Sequence, residues 1–468
     1  MGTNVVLFYY LQTKLRIIYV FLQRKFTVTM IITELQQLYA AHPNVEGVCR
    51  LLKDNSVRHL YCSGLCASAA SLFSSVLVQR AECPFVFILG DLEEAGYFYH
   101  DLTQILGTEQ VLFFPSSFRR AIKYGQKDAA NEILRTEVLS RLQKGEEGLC
   151  VVTYPDALAE KVVSRKELGD KTLKLHTGEK VDMDFVTEVL RSYGFEYVDY
   201  VYEPGQYAVR GSIIDVFSFS SEFPFRIDFF GDEVESIRTF EVESQLSKEK
   251  KEDIVIVPDL SRSLEQGGNG GMVSFLDFLR PDTLLAMRDF LWLRERIQTV
   301  HDESLTAAAI AAREAEENGA ISLEGKLIDG GEFTLRALDF RRMEFGAKPT
   351  GTPDATVSFS TAAQPIFHKN FDLVAESFHD YLSRNYTLYI CSDSLKQTDR
   401  IRAIFEDRGD DISFTSVERT LHEGFADDTL RLCIFTDHQL FDRFHKYNLK
   451  SDKARSGKVA LSLKELNQ

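Results

Sequence analysis

The sequence contains no two cysteines spaced C-x-x-C, and its seven cysteines are scattered at 49, 62, 66, 83, 150, 391 and 433. That spacing argues against a zinc site, and we expect no metal and no cofactor. An odd, dispersed set points to reduced thiols and a cytoplasmic protein. Positive charge is in deficit: 54 Lys and Arg face 70 Asp and Glu, for a net charge of −16. Such a chain repels phosphate backbones, which argues against its gripping nucleic acid by itself. Acidic residues are missing altogether from residues 1–29, an apolar and basic stretch. Lys14, Arg16, Arg24 and Lys25 interrupt it well short of the ~20 apolar residues a membrane span needs, and no small-residue cleavage site follows. We read residues 1–29 as an upstream extension with Met30 as the natural start; a peripheral membrane or partner helix is the other reading.

What is present is an ordinary globular composition, 44% hydrophobic and 26% charged over 468 residues, enough for several domains. Short apolar runs alternate with helical patterns from Met30 to about Ala157, which predicts a parallel α/β sheet. Residues 168–252 differ. A helix over 184–194 stopped by Gly194 precedes short strands punctuated by Pro-Gly, Arg-Gly and Gly-Asp turns, which predicts a small β-rich domain. The expected organisation is an α/β domain over 30–167, the β-rich insert over 168–252, and the rest of the first domain over 253–345. A linker over 346–370 and a second small α/β domain over 371–450 follow, then a tail over 451–468. In that last domain a helix over 371–382 is expected to bury Leu373, Phe378 and Leu382.

The stretch "SGLCASAAS" (63–71) follows a strand-like run and keeps the spacing of a phosphate-binding loop. Counting from Gly64, however, Ala69 stands at the second glycine and Ala70 at the lysine, while Ser71 keeps the hydroxyl. A working loop needs glycines for close backbone approach and a lysine against the phosphate oxygens. Magnesium would need an acid at the end of a neighbouring strand. The best candidate, Thr283–Met287, runs instead into Arg288. No catalytic residue set stands out. "HDESL" (301–305) reads as a solvated helix face, and Asp437 in "FTDHQ" as a helix N-cap. The chain has the outline of a motor without its motor.

The stretch "GQYAVRGSIIDVFSFSSEFPFRIDFFGDEVESIRTFEVESQLS" (205–247) is similar to the excinuclease-B homology module of bacterial transcription-repair coupling factors. It fills nearly every place of Y-A-x-R-G-x-[IL]-[IL]-D-[IVL]-F and of P-[YF]-R-[IL]-[DE]-F-F-x-[DE]-E-[IV]-[DE]-S-[IL]-R-x-F. Leu246 departs from it, standing where the family usually has arginine. The region after "LFFPSSF" passes into a helix without a Tyr-rich hairpin, which favours the coupling factor over the alternative, an excinuclease-B-like ATP-dependent DNA helicase or damage-recognition protein. The resemblance implies a degenerate first domain without ATP chemistry, and a β-rich module over 168–252 that docks the excinuclease repair ATPase, UvrA, in a non-catalytic recruitment role. It also implies RNA polymerase and DNA as partners through domains beyond this stretch, and no membrane.

Alternation along Phe225–Phe230 puts Phe225, Ile227 and Phe229 on one face, a core face, and Arg226, Asp228 and Phe230 on the other. An aromatic beside an arginine is interface composition. By resemblance, Arg210, Arg226 and Phe230 contact UvrA. The bland account is that Arg226 pairs with Asp228 or Glu235 and that Phe230 packs under the Gly231-Asp232 turn. We prefer docking, and expect alanine at Arg210, Arg226 and Phe230 to weaken binding while leaving folding nearly intact.

Overall fold

A computed structural model of the chain describes residues 29–117, 129–260, 272–314 and 325–443. The protein is a mixed α/β molecule of several sheets. Among the described residues, two compact units form: one from 29–46, 64–76 and 359–443, the other from 47–63 and 77–358.

The second unit holds a seven-stranded sheet, in the order Ala355–Ser358, His59–Ser63, Arg341–Glu344, Leu284–Met287, Phe85–Ile88, Cys150–Thr153, Val111–Phe114. Every pairing in it is parallel. The Phe85–Ile88, Cys150–Thr153 and Val111–Phe114 strands are buried at every position, as continuous apolar runs in a covered parallel sheet must be. The helix Ala129–Lys144 buries Leu134 and Val138 together with the polar Glu132, Arg135 and Thr136.

The same unit holds a six-stranded sheet, in the order Ser247–Lys251, Glu233–Phe240, Phe225–Phe230, Ile213–Val216, Gln206–Arg210, Glu196–Tyr197. All its neighbours are antiparallel except the last pair. One face packs Ile214, Val216, Phe225, Ile227 and Phe229 against Val186 and Leu190 of the helix Met183–Ser192. The alternation read along Phe225–Phe230 holds. The opposite face is not bare. Val201, Ala208, Phe217 and Phe240 form a second, smaller core there. The segment expected to close at 252 runs further, because Asp253–Ile256 pairs with Leu173–His176.

The first unit has its own sheet, in the order Thr29–Ile31, Thr415–Glu418, Thr387–Ser392, Leu432–Thr436, Phe425–Asp427, Thr361–Ala363. Three expectations are corrected here. Thr29 and Met30 do not head the domain that follows them in sequence; they pair with Ser416 and Val417. The expected linker over 346–370 contains two strands, Ala355–Ser358 and Thr361–Ala363. The helix Phe371–Ser383 buries Phe378 as expected and packs Leu382 partly into the core, but it turns Val374 and Ala375 inward and leaves Leu373 exposed. The tail 451–468 and most of 1–29 lie outside the described residues, as does the stretch 118–128 on which the missing hairpin was to be judged.

Candidate functional site

Antiparallel pairing of Phe225–Phe230 with Ile213–Val216 sets Arg226 directly opposite Asp215. Opposed residues on one sheet face lie within side-chain reach, and here they make a bidentate pair. Arg226 Nε donates to Asp215 Oδ1 at 2.8 Å and Nη2 to Oδ2 at 2.9 Å. Arg210, at the end of the next strand, donates to the same Asp215 Oδ2. Two guanidiniums therefore share one carboxylate, whose side chain is only 1% exposed. The hydrogen bond to Asp215 raises the Arg226 pKa above its ordinary value. Arg226 also donates through Nη1 to the Gln245 carbonyl at 3.1 Å and lies 4.5 Å from the Phe240 ring centroid. Arg210 lies over Tyr200, 4.9 Å from its ring centroid.

The bland pairing is thus corrected. Asp228 is taken by Arg238 and Ser236, across the other side of the strand. Phe230 does not pack under the Gly231-Asp232 turn; it is 79% exposed. Arg226 is less free than an outward position implies, with its side chain 15% exposed. Sequence reasoning missed Asp215 as the organiser of the arginines. The signal was a lone acid in the apolar run "SIIDVF", since a buried carboxylate needs a cation.

The loop after His59–Ser63 is occupied by the protein itself. Gly64 has φ +77°, and a Cβ there would lie 2.0 Å from the Phe359 carbonyl oxygen. The Cys66 N–H donates to Thr361 Oγ1 at 3.0 Å, and that hydroxyl donates to the Gly64 carbonyl at 2.6 Å. The Ser68 N–H points to the Glu423 carbonyl at 3.4 Å, and the Glu423 N–H donates to Ser68 Oγ at 2.9 Å. Ala69, Ala70 and Ser71 are buried in the first turn of the helix Ala69–Arg80.

The strand beside His59–Ser63 is also not the one expected. Leu284–Met287 stands one place further along the sheet, and Arg341–Glu344 lies between. Its terminal acid, Glu344, is buried 3.0 Å from His59 Nε2 and accepts the Thr350 N–H at 2.8 Å. Arg288 pairs with Glu94 at 2.6 Å. Among the described residues no cluster of three or more His, Cys, Asp or Glu suited to a metal ion occurs, and no helix is long and apolar enough to cross a membrane. Asp437 is not an N-cap; Thr436 holds that place, and burial pushes the Asp437 carboxyl pKa up. His301 and Asp302 lie in the long helix Phe290–Glu314, 3.0 Å apart.

Residues 173–261, which hold the Arg210–Asp215–Arg226 cluster and Phe230, match the UvrB interaction domain. Along most of its length the chain is similar to a transcription-repair-coupling factor of Bacillus subtilis (strain 168), 22% identical over 475 residues, 86% of this chain and 40% of the relative. The chain resembles the N-terminal region of transcription-repair-coupling factors. The factor of Escherichia coli (strain K12) is 29% identical over 196 residues, 42% of this chain and 17% of that protein. The factor of Staphylococcus aureus (strain MRSA252) is 22% identical over 86% of this chain. The chain thus spans about 40% of the length of the relatives that it matches along most of itself.

Proposed function

We propose that this chain acts in transcription-coupled nucleotide excision repair as a non-catalytic scaffold that docks the repair ATPase UvrA. The carrying observation is the pair of guanidiniums held on one buried carboxylate, on the sheet face that also bears an exposed Phe230. Fixed arginines and a large apolar side chain form an interface whose ordering is complete before the partner arrives. The match of residues 173–261 to the UvrB interaction domain supports docking by this domain. Contacts to RNA polymerase and DNA belong, in this reading, to parts of the longer relatives that this chain does not span.

The test is a titration with purified UvrA. Phe230→Ala is the clean variant, because the ring is exposed and its loss leaves no buried group unpaired. Binding is expected to weaken about thirtyfold, the equivalent of a ~2 kcal/mol hot spot. The melting curve is expected to stay put, since exposed substitutions cost under ~0.5 kcal/mol. Unchanged affinity would move the docking site elsewhere.

The scaffold reading also expects no ATP turnover. Ala70 supplies no charge, and loop amides that would meet a phosphate donate to Thr361 and toward Glu423 instead. Hydrolysis above blank that Ser71→Ala abolishes would favour an ATP-dependent helicase and overturn the scaffold.

A further inference from the structure

Next in the chain after Gln245, whose carbonyl accepts from Arg226, stands a leucine that the docking reading has not used. Leu246 is 69% exposed, and its backbone is held from several sides. Its carbonyl accepts the Glu241 N–H at 2.9 Å, and the Gln245 N–H donates back to the Glu241 carbonyl at 2.8 Å. Gln245 sits in the left-handed region at φ +58°, uncommon for a residue with a side chain. That conformation is secured by the Gln245 side chain, which donates to the Val242 carbonyl at 2.8 Å and to the Val201 carbonyl at 3.3 Å. It is secured again by Arg226 Nη1, which donates to the Gln245 carbonyl. The arginine thus holds the very peptide from which Leu246 projects.

We propose that Leu246 is a further anchor of the docking face, met by an apolar side chain of UvrA beside a carboxylate that answers the arginines. This rests on the docking reading above. Two observations select that chemistry. Arg210 shares Asp215 with Arg226 and keeps its side chain 37% exposed, within reach of a partner's carboxylate. Leu246 follows the peptide that Arg226 holds, on a turn already fixed, so its burial brings apolar gain with little ordering cost.

The experiment titrates the full chain with purified UvrA, comparing Leu246→Ala, Leu246→Met and Phe230→Ala with the unchanged protein. Leu246→Ala is expected to weaken binding about five- to tenfold at an unchanged melting temperature, and Leu246→Met to stay within about twofold, since apolar area is kept. If Leu246→Ala binds as the unchanged protein does while Phe230→Ala loses affinity, the inference falls and docking stands. Equal losses in the alanine and methionine variants would overturn it too. No effect from Phe230→Ala, or no binding by the unchanged chain, removes the docking reading and this inference with it.

Discussion

Asp215→Ala is expected to destabilise the six-stranded sheet by about 2–4 kcal/mol. Removing one partner of a buried charge cluster costs roughly 3–5 kcal/mol where the remaining charge stays buried. Here the orphaned groups are the Arg210 and Arg226 guanidiniums, both partly reachable by water, so the cost falls to the lower end of that range and somewhat below it. Arg226→Ala is expected to cost about 2 kcal/mol, through two lost bonds to Asp215, one to the Gln245 carbonyl and the stacking on Phe240. The expectation that Arg226 could be removed with the fold nearly intact is therefore revised, and a binding defect in Arg226→Ala does not separate docking from stability. A chain of two compact units need not unfold in one step, so the readout should be local. Hydrogen exchange at the amides of Phe225–Phe230 is suitable. Protection unchanged in Asp215→Ala would mean that water, rather than this carboxylate, holds the guanidiniums.

The same strand shows what a sequence can carry. Period-two alternation is a property of the strand alone, so the inward set of Phe225, Ile227 and Phe229 was legible. The partner of Arg226 was not. Asp228 is nearer in sequence, but strand register places Asp215 opposite Arg226, while Arg238 takes Asp228. Register arises between strands and leaves no mark inside either one. Strand order failed for the same reason: nothing in "TLLAM" says that Arg341–Glu344 will stand between it and His59–Ser63.

Composition misled in its own way. The Gly and Pro residues of "FGAKPTGTPDA" look like a linker, yet they flank "ATVS", which pairs with Leu60 through Ser63. Breakers mark the ends of short strands as well as true linkers. The missing lysine at Ala70 was readable directly, because the spacing of a phosphate loop is local. That Thr361 and Glu423 meet the loop's amides was beyond any local pattern, since both come from hundreds of residues further along the chain.

Gly64→Ala tests that arrangement, and a loss of about 3–5 kcal/mol is expected. Two effects add. A side chain at φ +77° costs roughly 1–2 kcal/mol by itself. A Cβ 2.0 Å from the Phe359 carbonyl oxygen cannot be accommodated without displacing backbone. Moving Phe359 away loosens the Thr361 hydroxyl, which both accepts from Cys66 and donates to Gly64, at about 1 kcal/mol for each bond lost. Gly194→Ala is the matched control. Gly194 has φ +79° with nothing within 4 Å of where a Cβ would stand, so it carries the conformational cost without the clash. The difference between the two variants, read as hydrogen-exchange protection around Gly64 and around Gly194, isolates the contact with Phe359. Protection in the unchanged protein should also be indifferent to added ATP, because a phosphate would have to expel the Phe359–Thr361 segment to reach the loop. If Gly64→Ala costs no more than Gly194→Ala, that segment does not rest on the loop in solution, and amides now satisfied within the chain would be free to meet a nucleotide.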